Sequence, residues 1–230
     1  MKITPLSERG LVRLIPATYH KPPALRGLVD TDDELAVLAE IEGLTSARLT
    51  AERGRNLHLD RRELAWQRRR HDLAVYGNSH INAAFAYTRA GGNRFNDGDR
   101  GAWYCAWDVL TSVAEVAWHK TRELRYVGVF TETARYVELI ADVIGDFPDL
   151  GDQPDHAALN PDPALGYPEG QALAGHIRRE GHAGLIYPSV RHPAGRCLVL
   201  FEPTAIRNVR PGASWEISWT GTPDYSVTAL

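Results

Sequence analysis

Arg94, Tyr104 and Glu115 fall within one stretch, Gly91 to Trp118 (GGNRFNDGDRGAWYCAWDVLTSVAEVAW), and each has a side chain suited to chemistry on a ligand. An arginine fork can pair with phosphate oxygens through two parallel hydrogen bonds, a geometry that lysine cannot imitate. A carboxylate beside a sugar's anomeric carbon stabilises an oxocarbenium-like transition state. A tyrosine ring offers a flat apolar face for stacking and a polar tip. The plain alternative is a structural ion pair between Arg94 and Glu115, with Tyr104 in the core.

The local sequence shows how these residues are carried. Gly91, Gly92, Gly98 and Gly101, with Asn93, Asn96 and Asp97, are turn formers, so Arg94 sits on a loop whose backbone can approach a ligand closely. Ala102 to Trp107 is a short aromatic run bounded by turn signals and reads as a strand carrying Tyr104. Asp108 can cap a helix whose apolar positions Val109, Val113, Val116 and Ala117 recur at helical spacing, with Glu115 among them. A carboxylate in that company is costly unless it has a partner or a task.

Before this stretch, Leu11 to Ile15 reads as a short strand ended by Pro16, with Arg13 directed at a cleft or exposed on an edge. The Pro-rich loop from Ala17 to Asp30 is undecided. Residues 31–87 read as mostly helical, an inserted segment near the N-terminus. Thr31 with Glu34 and Asp60 with Glu63 form capping boxes, Leu35, Leu38 and Ile41 line one helix face, and Gly43 is the stop. The helix expected from Asp60 carries Arg61, Arg62, Arg68, Arg69 and Arg70, a solvated face in preference to a nucleic-acid patch. Ser79, His80 and Asn82 belong to a cap and helix before the arginine loop and stay outside the site. After residue 118, strands are expected at Arg125 to Thr131 and Arg135 to Val143, and a long Pro-rich loop at Phe147 to Pro168. A helix from Glu169 to Glu180 should precede strands at Gly184 to Pro188, Cys197 to Phe201 and, last, Trp215 to Trp219. Ser189 follows Pro188 in YPSVR and by itself would be a turn residue. The pattern is that of an α+β domain spanning residues 1–230.

These residues resemble the RES-domain family, toxins of bacterial toxin–antitoxin pairs that consume NAD. The family carries an Arg in a GGRWN-like loop, a Tyr on the next strand, a Glu on the next helix and, much later, a Ser in a PS(A/V)R-like segment. The matching residues are Arg94 in GGNRFN, Tyr104 in AWYCA, Glu115 in SVAEVAW and Ser189 in YPSVR. The resemblance implies a mixed sheet core related to ADP-ribosyltransferases. It also implies that Arg94 and Arg13 hold the pyrophosphate, Tyr104 stacks on nicotinamide, Glu115 stabilises the sugar cation, and Ser189 orients Glu115 or the ribose. NAD would be consumed as a substrate, with no cofactor, and a cognate antitoxin would block the cleft. Phosphate or water is the expected acceptor. The rivals are transfer of ADP-ribose to a protein and a non-catalytic partner-binding domain.

Composition narrows the field. A chain of 230 residues buries enough surface to be stable without disulfides or metal, and its formal net charge of -3 supplies no basic field for nucleic acid. Two cysteines without a CxxC pair fit a reducing cytoplasm, and no apolar run approaches the roughly 20 residues that span a bilayer. Nine histidines include no HxH or HExxH pair, so no metal site is expected. GxSxG, P-loop and Rossmann signatures are missing after any plausible strand. A homo-oligomer remains open.

Overall fold

In the computed structural model, residues 1–20, 29–65 and 76–230 are described. Seven strands form one mixed sheet: β1 (Lys2–Pro16), β2 (Trp103–Ala106), β3 (Thr131–Asp149), β4 (Gly184–Pro188), β5 (Arg196–Leu200), β6 (Ile206–Thr220) and β7 (Tyr225–Ala229). Their order is β1-β2-β5-β4-β3-β6-β7, with β1 also paired to β3, and among the described residues only β3 and β4 run parallel. The helices are α1 (Asp32–Thr45), α2 (Ala47–Glu52), α3 (Asn78–Ala86), α4 (Val109–Val127) and α5 (Pro163–Arg179). The α+β class expected from the sequence is what the chain adopts.

Strands β1 and β3 are antiparallel from Lys2↔Asp149 to Pro16↔Tyr136. Leu11, Val12 and Leu14 are buried in β1, whereas most residues before Gly10 are exposed. The strand is therefore much longer than Leu11–Ile15: its first half is held by backbone pairing and has no apolar pattern to announce it. Gly10, at φ +128, takes up the register shift between Arg9 and Leu11.

Helix α4 corrects the expectation of a strand at 125–131. Asp108 caps it, accepting from Thr111 N at 2.8 Å, and it continues to Val127 before Gly128, at φ +77, ends it with a bond to Leu124 O. Tyr126, Val127 and Val129, within the alternating run that suggests a strand, are exposed, while Leu124 is buried against the same cluster as Leu14 and Tyr136. A single strand then runs from Thr131 to Asp149. The expected loop from Phe147 is likewise shorter, because α5 starts at Pro163 with Asp162 as its cap and contains Pro168. Proline inside a helix forfeits a bond and usually ends it. Here Gly166 and Gly170 lie so close to the Asn160 and Arg94 backbones that no Cβ would fit, and this packing fixes the helix against the arginine loop.

The Thr31 capping box is present, with Glu34 N donating to Thr31 Oγ1 and Thr31 N to Glu34 Oε2. That helix passes Gly43 to Thr45, and Ile41 is exposed. The second box is not formed: Asp60 accepts from Arg62 N over a single 3-10 turn, and Glu63 pairs with Arg100. Arg68, Arg69 and Arg70 lie outside the described residues. Strand β6 begins nine residues before Trp215, and β7, not β6, is the final strand. Among the described residues, no helix is long and apolar enough to cross a membrane.

Two apolar clusters hold the site between them. Val113 and Ala117 of α4 pack with Leu14, Tyr136, Ile217 and Trp219, while Ala174 and Ile177 of α5 pack with Phe95, Leu185, Tyr187 and Phe201.

Candidate functional site

Between α4, the arginine loop and the sheet lies a cavity of about 220 Å³ whose walls include Arg13, Arg94, Tyr104, Glu115, Tyr187 and Arg191. Arg13 reaches it because β1 crosses β2 at Val12↔Ala106, placing its guanidinium over the Trp103 ring. Ser112 Oγ donates to Val12 O at 2.8 Å, tying α4 to β1 one turn before Glu115. Arg94 and Glu115 form no ion pair with each other, so the purely structural pairing is not observed.

Three guanidiniums surround the one carboxylate, and each is fixed by main-chain carbonyls. Arg94 Nη1 donates to Ala158 O at 2.6 Å and Asn160 O at 2.8 Å, Arg191 Nη2 to Pro161 O at 2.8 Å, and Arg13 Nη1 to Tyr104 O at 3.2 Å. Arg94 also lies over the Tyr167 ring and Arg191 over Trp118, the latter 3.5 Å from the ring centroid. Among the described residues none of the three forms an ion pair. The fork expected of Arg94 is therefore half engaged: Nη1 is spent on the loop that leads into α5, and among the described residues Nη2 and Nε have no hydrogen-bond partner.

Tyr104 lines the cavity, but its hydroxyl is committed to the arginine loop. It donates to Asn96 Oδ1 at 2.9 Å and accepts from Phe95 N at 3.0 Å, leaving the ring as the part presented to a ligand. Burial holds this phenol well above its usual range, so it is neutral.

Ser189 sits behind Glu115. Its Oγ accepts from Arg191 N at 3.2 Å and His192 N at 3.0 Å, which directs its own proton to Glu115 Oε1 at 2.7 Å. Burial raises the Glu115 pKa above the ordinary glutamate range, and the Ser189 bond, Arg191 and Arg94 offset this only in part. The arrangement holds an ionisable carboxylate in one orientation, facing positive charge across a gap.

All five residues singled out from the sequence thus come to one place, Ser189 through Glu115 and the others at the cavity wall. Tyr167, Tyr187, Trp118, His119 and Arg191 join them as lining residues. The helical spacing of Trp118 and His119 from Glu115, three and four positions on, was a usable signal; Tyr167, in a Pro-rich segment, had none.

No curated protein gives a significant match to the chain. The RES domain family matches residues 66–220, which include Arg94, Tyr104, Glu115 and Ser189. With two thirds of its length matched and that set of side chains gathered at one cavity, this chain belongs to the RES-domain family, the toxin part of toxin–antitoxin pairs.

Proposed function

We propose that this protein degrades NAD by breaking the bond between nicotinamide and ribose, with phosphate or water as acceptor. The observation that carries this reading is a lone carboxylate, oriented by Ser189 and ringed by Arg13, Arg94 and Arg191, in a cavity whose arginines have no carboxylate partner of their own among the described residues. An anionic dinucleotide supplies that partner through its pyrophosphate.

In the reaction, the electron pair of the C–N bond leaves with nicotinamide and neutralises its ring charge. Positive charge grows on the ribose, where ionised Glu115 stabilises it electrostatically. A phosphate or water oxygen then bonds to the anomeric carbon, and a water acceptor releases its proton to solvent. The Tyr104 ring, its hydroxyl anchored, fixes the nicotinamide plane. A cognate antitoxin that covers the cleft is the regulatory partner expected of this family.

The test is incubation of pure protein with NAD and phosphate, followed by product identification. ADP-ribose 1″-phosphate or free ADP-ribose with nicotinamide supports the proposal. A labelled protein would move the reading to ADP-ribosyl transfer, and intact NAD would reject both.

Replacing Ser189 by Ala removes the one hydroxyl that, among the described residues, is bonded to Glu115. A drop in kcat of roughly tenfold is expected, the worth of about one hydrogen bond to a charged group. Because that bond lowers the Glu115 pKa, its loss raises it further, and the acid limb of the kcat profile should move to higher pH. An unmoved limb would contradict the role given to Ser189.

A further inference from the structure

Successive turns of α4 line two cavities that share part of their walls. Glu115 lines the first, Glu123 lines a second of about 830 Å³, and His119, midway between them at four-residue spacing, lines both, as do Leu14, Asn93 and Val116. The second cavity is also lined by Arg89, Lys120 and Arg135, which pair with Glu123, Glu132 and Glu216 in turn. Residues four apart on a helix are neighbours on one face, so a ligand that extends from Glu115 along α4 meets His119 next.

His119 is held in one tautomer. Arg89 Nη2 pairs with Glu123 Oε1 at 2.9 Å, and Arg89 Nη1 lies 3.3 Å from His119 Nδ1. A guanidinium has only donors, so Nδ1 accepts and the ring proton resides on Nε2. Burial, reinforced by Arg89, Arg122, Arg191 and Arg94, pushes the imidazole down to about 3, so it is neutral at physiological pH. The Trp118 ring packs against it, with centroids 5.0 Å apart.

We propose that His119 is a substrate-binding residue at the neck between the cavities, its Nε2–H donating to an oxygen of the adenylate half of the dinucleotide, which lies in the larger cavity. This rests on the NAD reading above and names the place of the substrate's second half. The first cavity, at about 220 Å³, takes the nicotinamide end with the pyrophosphate at its arginines, and the second, at about 830 Å³, offers the volume for the rest of the adenylate half.

Steady-state kinetics with NAD and with nicotinamide mononucleotide, which lacks the adenylate half, test the proposal. His119→Ala should raise KM for NAD about tenfold, the value of one hydrogen bond to a charged acceptor, with kcat nearly constant. The KM penalty should be much smaller for nicotinamide mononucleotide than for NAD, an equal penalty on both substrates counting against the proposal, and His119→Gln, which retains an N–H donor, should recover most of the affinity. An equal fall in kcat on both substrates, or an unchanged KM for NAD, would overturn it. Calorimetry with ADP-ribose supplies a readout independent of turnover, and the thermal unfolding of each variant checks its fold. If the wild type leaves NAD intact, the NAD reading fails by itself. This proposal fails if ADP-ribose binds wild type and His119→Ala equally or binds neither.

Discussion

Glu115→Gln is expected to slow NAD consumption by on the order of 10²–10³, the usual cost of removing one electrostatic stabiliser, while raising the melting temperature at neutral pH. The two effects share a cause. The folded protein raises the Glu115 pKa, chiefly by burial, so the native state binds a proton more readily than the unfolded chain does. The stability associated with the protonated carboxyl is complete below the ordinary glutamate range and is lost as pH rises through the raised value. At pH 7 the fold therefore carries an ionised group it would be more stable without. An amide keeps the shape and can still accept from Ser189 Oγ, but it does not ionise. Below the ordinary glutamate range the two melting curves should converge. A variant that is inactive and also less stable at pH 7 would show that Glu115 holds the fold together, and full activity in the amide would remove the carboxylate from the chemistry.

Arg94→Ala should lower both activity and stability, and Arg94→Lys should separate them. Arg94 is 8% exposed, and its Nη1 serves Ala158 O and Asn160 O, two acceptors on the segment leading into α5. Hydrogen bonds to a charged group contribute about 1.5–3 kcal/mol each, so truncation to Ala should cost roughly 3 kcal/mol or more in urea unfolding. Lysine can reach one carbonyl and keep the charge, which restores part of the stability. Its single ammonium cannot both hold that carbonyl and present a planar fork, so NAD consumption should stay about 10²-fold down. Wild-type turnover in Arg94→Lys would end the phosphate-fork assignment, and an unchanged urea midpoint in Arg94→Ala would end the clamp.

The parts of this site legible in the sequence are those set by local structure. Glycine and asparagine turns place Arg94, an aromatic run places Tyr104, and a capped amphipathic helix places Glu115, all within one stretch of chain. Arg13 and Ser189 lie far away in sequence and reach the site by sheet register, through Val12↔Ala106 and the β4–β5 pairing that ends at Pro188↔Arg196. Only the family resemblance connected them beforehand. Arg191 and Tyr167 depend on how residues 150–162 pack, and Arg94's use of two carbonyls there could not be read from types and spacing. The long halves of β1 and β3 were missed for a related reason: polar residues paired along their backbones look like loop until the partner strand is known. At 125–131 an alternating pattern mimics a strand, but the helix continues to its stop at Gly128.

The recognised RES segment begins at residue 66, yet β1, at residues 2–16, is hydrogen-bonded to β3 along its whole length and delivers Arg13 to the cavity. Cutting the chain at the start of the match would strip fourteen partnered positions from β3 and leave an open, sticky edge where a neighbouring molecule could dock. The unit that heredity marks most clearly is thus smaller than the unit that must fold together, and any shortened version meant for study should keep the first sixteen residues.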